Sequence, residues 1–359
     1  MPERLRVGIV GAGIGRHHAQ SYLCFPELFD VRVVCDLDQA RAGELATDLD
    51  IPRITTQVED LYSADDLDII DVCTPSNLHA PQTLRALAAG KHVVCEKPLA
   101  GSLAQVDEIL RAEARSGRRV MPIFQYRFGL GLQKLKFLRD EGITGQALFT
   151  TSETAWRRRP DYYATPWRGK WATELGGALV TLAIHAHDAI LYLLGPARSV
   201  CAQTATLVNP IETEDSVSAS VRMADGSLCS LSVTTGSSAQ ISRHRFCFRN
   251  LAAESNTEPY SNTADPWTFT ADSPETSAQV DEALGRFQPL PEGMPGQFYR
   301  YAMAMREGKE LPVTVGQARA ALELVTAIYH SARTGQRVEL PIPETHEAYA
   351  GWQPKGKQG

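Results

Sequence analysis

The first 124 residues alternate short β-rich runs with amphipathic helical runs, and few folds accommodate that rhythm. The stretches RVGIV, VRVVC, DIIDVC, KHVVCE and RRVMPIF read as strands. Among them DQARAGELATDL, APQTLRALAAG and SLAQVDEILRAEARSG read as helices. Strict alternation implies a parallel sheet wrapped on both faces, because each crossover lays a helix over the sheet. Ser102 with Gln105 forms a capping box that opens the last of these helices, and Gly117 closes it.

After residue 125 the pattern changes. A helix (LQKLKFLRDEG) and a more apolar one (GALVTLAIHAHDAILYLLG) stand among strand candidates that follow one another directly: QALFTTSETAW, VCAQTATLV, SVSASVRMA, SLCSLSVTTG and SRHRFCFRN. ADGS at 224–227 carries the Asp-Gly signature of a tight hairpin. The expected result is an α+β domain with a mostly antiparallel sheet and helices on one face. Residues 252–296, rich in Ser, Thr, Pro and Asp, predict long loops, and Thr314 with Gln317 caps a final helix near 315–333. A length of 359 residues favours two domains. The boundaries fall at 1–124 and 125–345, with a tail at 346–359.

Composition excludes several classes of partner. The chain is 43% apolar with no uninterrupted apolar run long enough to span a bilayer, so no membrane partner is expected. A net charge of −6 with both signs dispersed lacks the basic footprint of nucleic-acid binding. The seven cysteines are widely spaced and form no CxxC pair, which argues against a zinc site or a disulfide framework. Cys35, Cys73 and Cys95 end apolar strand patterns and read as packing residues. The start, MPERLRVGIV, enters a strand pattern at once and leaves no room for a signal peptide, so the cytoplasm is the expected location.

Four stretches carry chemistry. VGIVGAGIGRHHA joins the first strand to the first helix, where glycines let a backbone approach a pyrophosphate. Gly11 and Gly13 fit the G-x-G-x-x-G spacing, but Gly15 comes one residue early and Arg16 takes the third-glycine slot; a tight turn without a ligand is the alternative. Asp36 ends the second strand, where dinucleotide folds bind a ribose 2′-hydroxyl, and its charge would repel a 2′-phosphate. It favours NAD over NADP unless it simply caps the next helix. CTPSNLHAPQT leaves the third such strand through a Thr-Pro turn, with His79 as a capping or packing residue at the helix start beyond it. Glu96 and Lys97 then stand at the end of KHVVCE, at the sheet edge where ligands bind in this architecture, and a lysine there can polarise a substrate oxygen. Pro98 admits a cis Lys97–Pro98 bond. Finally, Thr181, His185 and Asp188 at i, i+4 and i+7 share one helix face, implying either a polar pocket or a core imidazole bonded to the threonine hydroxyl.

Together these stretches resemble the glucose–fructose oxidoreductase, inositol dehydrogenase and rhizopine-catabolism (Gfo/Idh/MocA) family. The EKP, TPxxxH and GGxLxxxxxHxxD elements occur in the family's order, and the resemblance covers nearly the whole chain. It implies an α/β Rossmann domain followed by an open-faced sheet domain, and NAD(P)-dependent oxidation or reduction of a sugar, cyclitol or related polyol carbon. Lys97 matches the lysine that bonds the reacting hydroxyl, and His185 the general base. Gly11, Gly13, Ile14, Gly15, Asp36, Leu37 and Arg41 would hold the dinucleotide together with Thr74, Pro75, Asn77 and His79. Glu96, Lys97, Gln125, Trp167 and Arg168 complete that set. Lys97, Arg127, Tyr163, Thr181, His185 and Asp188 would meet the substrate, a polyol, sugar or sugar acid. Many members carry Asp where this chain has Thr181, so charge support for His185 is missing there unless Asp188 turns inward. Arg157, Arg158 and Arg159 either bind a substrate carboxylate or phosphate or form a solvated face. The family also implies a homodimer or homotetramer built through the open sheet. Two other classes remain: an NAD-recycling glycosidase or aldose–aldose oxidoreductase with tightly bound cofactor, and a non-catalytic dinucleotide-binding regulator.

Overall fold

The structure, a computed structural model, describes residues 4–354. The described residues divide into two compact units, 4–124 with 294–319, and 125–293 with 320–354.

Unit 1 holds a six-stranded parallel sheet of β1 (Leu5–Val10), β2 (Phe29–Cys35), β3 (Arg53–Thr55), β4 (Ile69–Val72), β5 (His92–Cys95) and β6 (Val120–Pro122). Its order is β3-β2-β1-β4-β5-β6. The connections are α1 (Gly15–Leu23), α2 (Gln39–Asp48), α3 (Glu59–Ser63), α4 (His79–Ala88) and α5 (Leu103–Ser116). The central strands are buried except for Arg6 in β1 and His92 at the start of β5, because helices cover both faces, which explains their apolar runs. The chain builds outward from β1 in one direction and from β4 in the other. The exits of β1 and β4 therefore form a topological switch point, where no crossover helix closes the sheet edge. Ser102 caps α5 through the Gln105 amide at 3.2 Å, and Gly117 ends it in the left-handed region at φ 63°.

Unit 2 holds an eight-stranded sheet ordered β13-β12-β11-β7-β10-β9-β8-β14. Its strands are β7 (Ala147–Arg157), β8 (Ala197–Ala205), β9 (Ser216–Met223), β10 (Leu228–Thr234), β11 (Gly236–Phe248), β12 (Leu251–Glu254), β13 (Thr268–Ala271) and β14 (Val338–Glu339). Only the β7–β10 pair is parallel. In β9, Val217, Ala219, Val221 and Met223 are buried while Ser218, Ser220 and Arg222 are exposed, so one sheet face packs and the other is open. The Asp225–Gly226 turn joins β9 to β10, with Gly226 at φ 92°. The helices of this unit are α6 (Leu130–Asp140), α7 (Trp171–Glu174), α8 (Ile184–Leu194) and α9 (Pro274–Arg286).

The structure corrects two expectations. Residues 252–296 are not mainly loop: β12 and β13 pair there and α9 follows, capped by Ser273 with Pro274 in its first turn. Residues 294–319, expected in the second domain, pack with unit 1; they carry most of α10 (Gly293–Glu307) and the start of α11 (Val315–Thr334). One stretch approaches the length and composition of a bilayer span without being an uninterrupted apolar run, since it carries Glu174, His185, His187 and Asp188. Trp171–Leu194 is long and apolar enough by composition, but 83% of its most apolar window is buried inside the protein.

Candidate functional site

The glycine loop shows why Gly15 arrives early. Gly11 adopts φ 102°, and a Cβ there would stand 2.5 Å from the Cys73 carbonyl oxygen, so the β1 exit lies directly against the β4 exit. A Cβ on Gly15 would meet the Ile9 side chain at 2.8 Å, so Gly15 does the helix-to-strand packing that the third glycine of the fingerprint performs. Nothing lies within 4 Å of a Cβ on Gly13, and no side chain caps α1. Open backbone at an uncapped helix start suits a pyrophosphate. Ile14 and Leu37 are exposed beside it, Leu37 at 92%.

Asp36 is not the cap of α2. That cap is Asp38, which accepts the amides of Ala40 and Arg41. Asp36 accepts the Ala12 amide of the glycine loop at 2.8 Å and the Asp38 amide at 2.9 Å, which ties the ends of β1 and β2 together. Arg41 lies 3.9 Å from Asp36 and 3.5 Å from Asp38.

At the next two strand exits, His79 is buried, with Nδ1 2.7 Å from the Pro98 carbonyl and Nε2 2.7 Å from the Thr74 carbonyl. It binds the Thr-Pro turn to the EKP turn, so it is a brace within the protein rather than an exposed ligand group. Burial lowers its pKa, while the two carbonyl acceptors favour the protonated ring. Asn77 is exposed, and the Thr74 hydroxyl bonds Gln82 Oε1 at 2.7 Å. The Lys97–Pro98 bond is cis. Lys97 is partly exposed, whereas Glu96 turns inward: Oε1 lies 3.0 Å from His18 Nε2, and Oε2 accepts the Lys97 amide at 3.0 Å.

His18 was not singled out by the sequence reading. Its Nδ1 lies 2.8 Å from Asp71 Oδ2 and 3.3 Å from Cys73 Sγ, and His18 and Asp71 are both fully buried. Burial is the largest single influence and opposes its charge, but Asp71 and Cys73 together outweigh it and raise the imidazole pKa well above its ordinary value. Burial likewise keeps the Cys73 thiol neutral. Cys73 therefore joins a polar cluster instead of only filling space. The signal for this cluster was Asp71, an acid inside the apolar run IIDV, which needs a partner to be buried.

In unit 2 the GGALVTLAIHAHDAI stretch is not one regular helix. Leu179–Ala183 forms a π-helical turn ahead of α8, so the i, i+4, i+7 face does not hold as drawn. The Thr181 hydroxyl donates to the Gly177 carbonyl at 2.8 Å, which uses its one hydrogen within its own turn. Asp188 does not turn towards a substrate: fully buried, it takes Arg127 Nε at 2.7 Å and Nη2 at 2.6 Å. Arg127 is 2% exposed, so neither member of this pair lines an open surface, contrary to the substrate role expected of both. Burial raises the Asp188 carboxyl pKa and Arg127 opposes the rise. His185, 6% exposed, stacks on Tyr126 with ring centroids 5.0 Å apart.

The twin glycines ahead of this helix also have a structural reason. A Cβ on Gly177 would sit 1.7 Å from the Glu214 carbonyl oxygen. The buried Glu214 side chain accepts the amides of Gly177 (3.0 Å) and Leu179 (2.9 Å) and the Tyr329 hydroxyl (2.8 Å), capping the helix start. Burial lifts its carboxyl to about 7 despite these bonds. Nearby in sequence, Arg168 bonds Glu174 at 3.0 Å and stacks 4.1 Å from the Tyr162 ring and 4.3 Å from the Trp167 ring. Burial pushes the Tyr163 hydroxyl up to about 12. Of the arginine run, Arg157 and Arg159 are exposed, and Arg158 lies over the rings of Trp156 (5.1 Å) and Tyr162 (4.9 Å). Gln125 Oε1 is buried with no hydrogen-bond partner among the described residues.

Comparison with known proteins places both halves. Residues 5–124 match the family described as oxidoreductase, NAD-binding Rossmann fold, of the Gfo/Idh/MocA proteins, and residues 132–248 match a Gfo/Idh/MocA C-terminal domain. The chain belongs to the Gfo/Idh/MocA oxidoreductase family. Among curated members it is 31% identical to the uncharacterized oxidoreductase YrbE of Bacillus subtilis, over 58% of this chain and 60% of that protein. It is 34% identical to the D-glucoside 3-dehydrogenase of Escherichia coli, over 53% of this chain and 54% of that protein. The matched region thus spans less than two thirds of each of these relatives. Among solved structures, the WlbA dehydrogenase of Bordetella pertussis, in complex with NADH and UDP-GlcNAcA, superposes with a TM-score of 0.83 at 28% identity. That match covers 95% of this chain and all of the other.

Proposed function

We propose that the protein is an NAD-dependent dehydrogenase that transfers a hydride between the nicotinamide and a secondary alcohol or ketone carbon of a sugar, cyclitol or sugar derivative. The observation that carries this reading is the arrangement at the strand exits of unit 1. Glycines leave the backbone open at the start of α1, Asp36 directly follows β2, and Lys97 follows the buried Glu96 just after β5.

The residues fit a dinucleotide: open backbone at Gly13 receives the pyrophosphate, and the Asp36 carboxylate favours a ribose 2′-hydroxyl over a 2′-phosphate. Bound NAD supplies the hydride acceptor at its nicotinamide C4. In the oxidation direction Lys97 stabilises negative charge developing on the substrate oxygen, and His185 accepts the hydroxyl proton. Thr181 shapes the backbone that carries His185, because its hydroxyl is engaged with Gly177. Trp167, Arg168, Gln125 and Tyr163 are further candidates for cofactor or substrate contact. The exposed Phe149 and Leu228, paired on neighbouring strands of the unit 2 sheet, suit association of two or four copies, which light scattering of the purified protein tests.

The deciding experiment follows nicotinamide reduction by absorbance, with NAD and with NADP, against cyclitols, aldoses, sugar acids and nucleotide sugars. The last two classes belong in the panel because a relative is seen with a nucleotide sugar acid and because Arg157–Arg159 have no carboxylate partner among the described residues. Turnover with NAD on one class, lowered roughly 10²–10⁴-fold by Lys97→Ala, is the expected result. Silence across the panel, with nicotinamide released only on denaturation, moves the reading to a closed-cycle enzyme or a binding module.

A further inference from the structure

Glu96 and Lys97 are adjacent opposite charges at a strand exit, and the structure holds the glutamate from behind. Its Oε1 meets His18 Nε2 at 3.0 Å, and its Oε2 holds the amide of Lys97 at 3.0 Å. His18 is itself held from the other side by Asp71 at 2.8 Å. Both ring nitrogens face carboxylate oxygens, the arrangement in which a doubly protonated ring bridges two carboxylates as a cation. The groups around the His18–Asp71 pair come from four elements: Cys73 at the β4 end beside Asp71, Glu96 after β5, Tyr22 on α1, and Phe298 and Tyr301 on α10, with the two tyrosines on the Asp71 side. The Phe298 ring closes the site edge-on, 5.4 Å from the imidazole.

We propose that His18 is a positioning residue for Lys97: by holding Glu96 against the Lys97 amide, it fixes the lysine's backbone and keeps the neighbouring carboxylate from drawing the ammonium off the reacting oxygen. This rests on the role given to Lys97 above. The alternative is a buried ion pair that only joins α1 to the sheet, and the two make different predictions. A purely structural bridge changes stability and leaves Lys97 chemistry alone. The same trio of His18, Asp71 and Cys73 is close enough to surround a metal ion, but a ring protonated at both nitrogens has no lone pair to give it.

The test measures the pH dependence of Lys97 acylation by acetic anhydride, read by peptide mass spectrometry, beside kcat, KM and the pH–rate profile on the substrate found above. In His18→Gln the Lys97 midpoint is expected to move to higher pH, because a nearby positive charge is lost and Glu96 is released towards the ammonium. Turnover should fall roughly 10- to 100-fold, the cost of an ångström-scale misplacement, with the KM for NAD changed less. Removing the released charge in His18→Gln/Glu96→Gln should bring the midpoint back down. An unchanged Lys97 midpoint in folded His18→Gln overturns the proposal. If instead Lys97→Ala retains normal turnover, the catalytic reading fails while the labelling result still decides the positioning of Lys97. Should His18→Gln not fold, nitrogen NMR of the intact protein with labelled histidine decides: His18 must show hydrogen on both ring nitrogens at pH 8, and a neutral ring there overturns the proposal.

Discussion

His18 in unit 1 and His187 and His244 in unit 2 are all buried, yet their polar surroundings are opposite. His18 stands between two carboxylates. His244 has no hydrogen-bond partner at either ring nitrogen among the described residues, and His187 has none at Nδ1. Burial lowers the pKa of His187 to about 3 and of His244 to about 4, whereas the pKa of His18 is raised. Depth alone therefore does not set the charge of a buried imidazole; the partner does. In unit 1 the protein uses a histidine as a buried cation, and in unit 2 as a neutral filler against Phe246, whose ring lies 5.9 Å from that of His244.

The largest test of this contrast replaces each ring with an apolar side chain. His18→Leu leaves two buried carboxylates without their cation and should cost about 3–5 kcal/mol in urea denaturation at neutral pH. His244→Leu removes a ring that bonds nothing and should change stability by about 1 kcal/mol or less. Equal effects would erase the distinction between the two units. Arg127→Ala provides the control within unit 2, because it strands the buried Asp188, and it belongs with His18→Leu in size.

Acid titration comes next. His187 and His244 bind protons in the unfolded chain below pH 6.5 but not in the folded one until about pH 3 and 4. Each therefore makes stability fall by about 1.4 kcal/mol per unit as pH drops from 6.5, continuing to about 4 for His244 and about 3 for His187. In His244→Leu that slope should be shallower. His18 acts in the other direction: its contribution is complete below its ordinary pKa and is lost as pH rises through the raised one. Chemical denaturation at a series of pH values separates the two. The smallest effect is at the surface, where water replaces a lost partner. Ser273→Ala at the start of α9 should cost about 1 kcal/mol, visible as a small shift in the urea midpoint.

What the sequence made legible follows the same physics. Period and capping announced both sheets, α5 with Ser102 and Gly117, and α11 with Thr314 and Gln317, whose reciprocal bonds measure 3.2 and 3.1 Å. These are local signals, carried by neighbours in the chain. Region 252–296 was misread because polar composition outweighed one local cue, Ser273 before Pro274, which marks a helix start. The arrangement at the candidate site was hardest to read, because it depends on partners far apart in sequence. Arg127 is 61 residues from Asp188, and His18 is 53 from Asp71 and 78 from Glu96. The π-turn at Leu179–Ala183 broke the face on which Thr181, His185 and Asp188 had been aligned.

The segment that returns to unit 1 bears on how the chain comes off the ribosome. Phe298 stacks on Tyr22 at 4.1 Å, and Gln297 bonds both the Phe124 amide and the Pro122 carbonyl, so the sheet's last strand and the first helix are finished by residues made much later. Through the synthesis of all the intervening strands, the nascent Rossmann unit stays open along α1, with the aromatic face of Tyr22 and Phe29 uncovered. The N-terminal unit is thus the first to begin folding, yet it cannot close until residues 294–319 have been made, after most of unit 2.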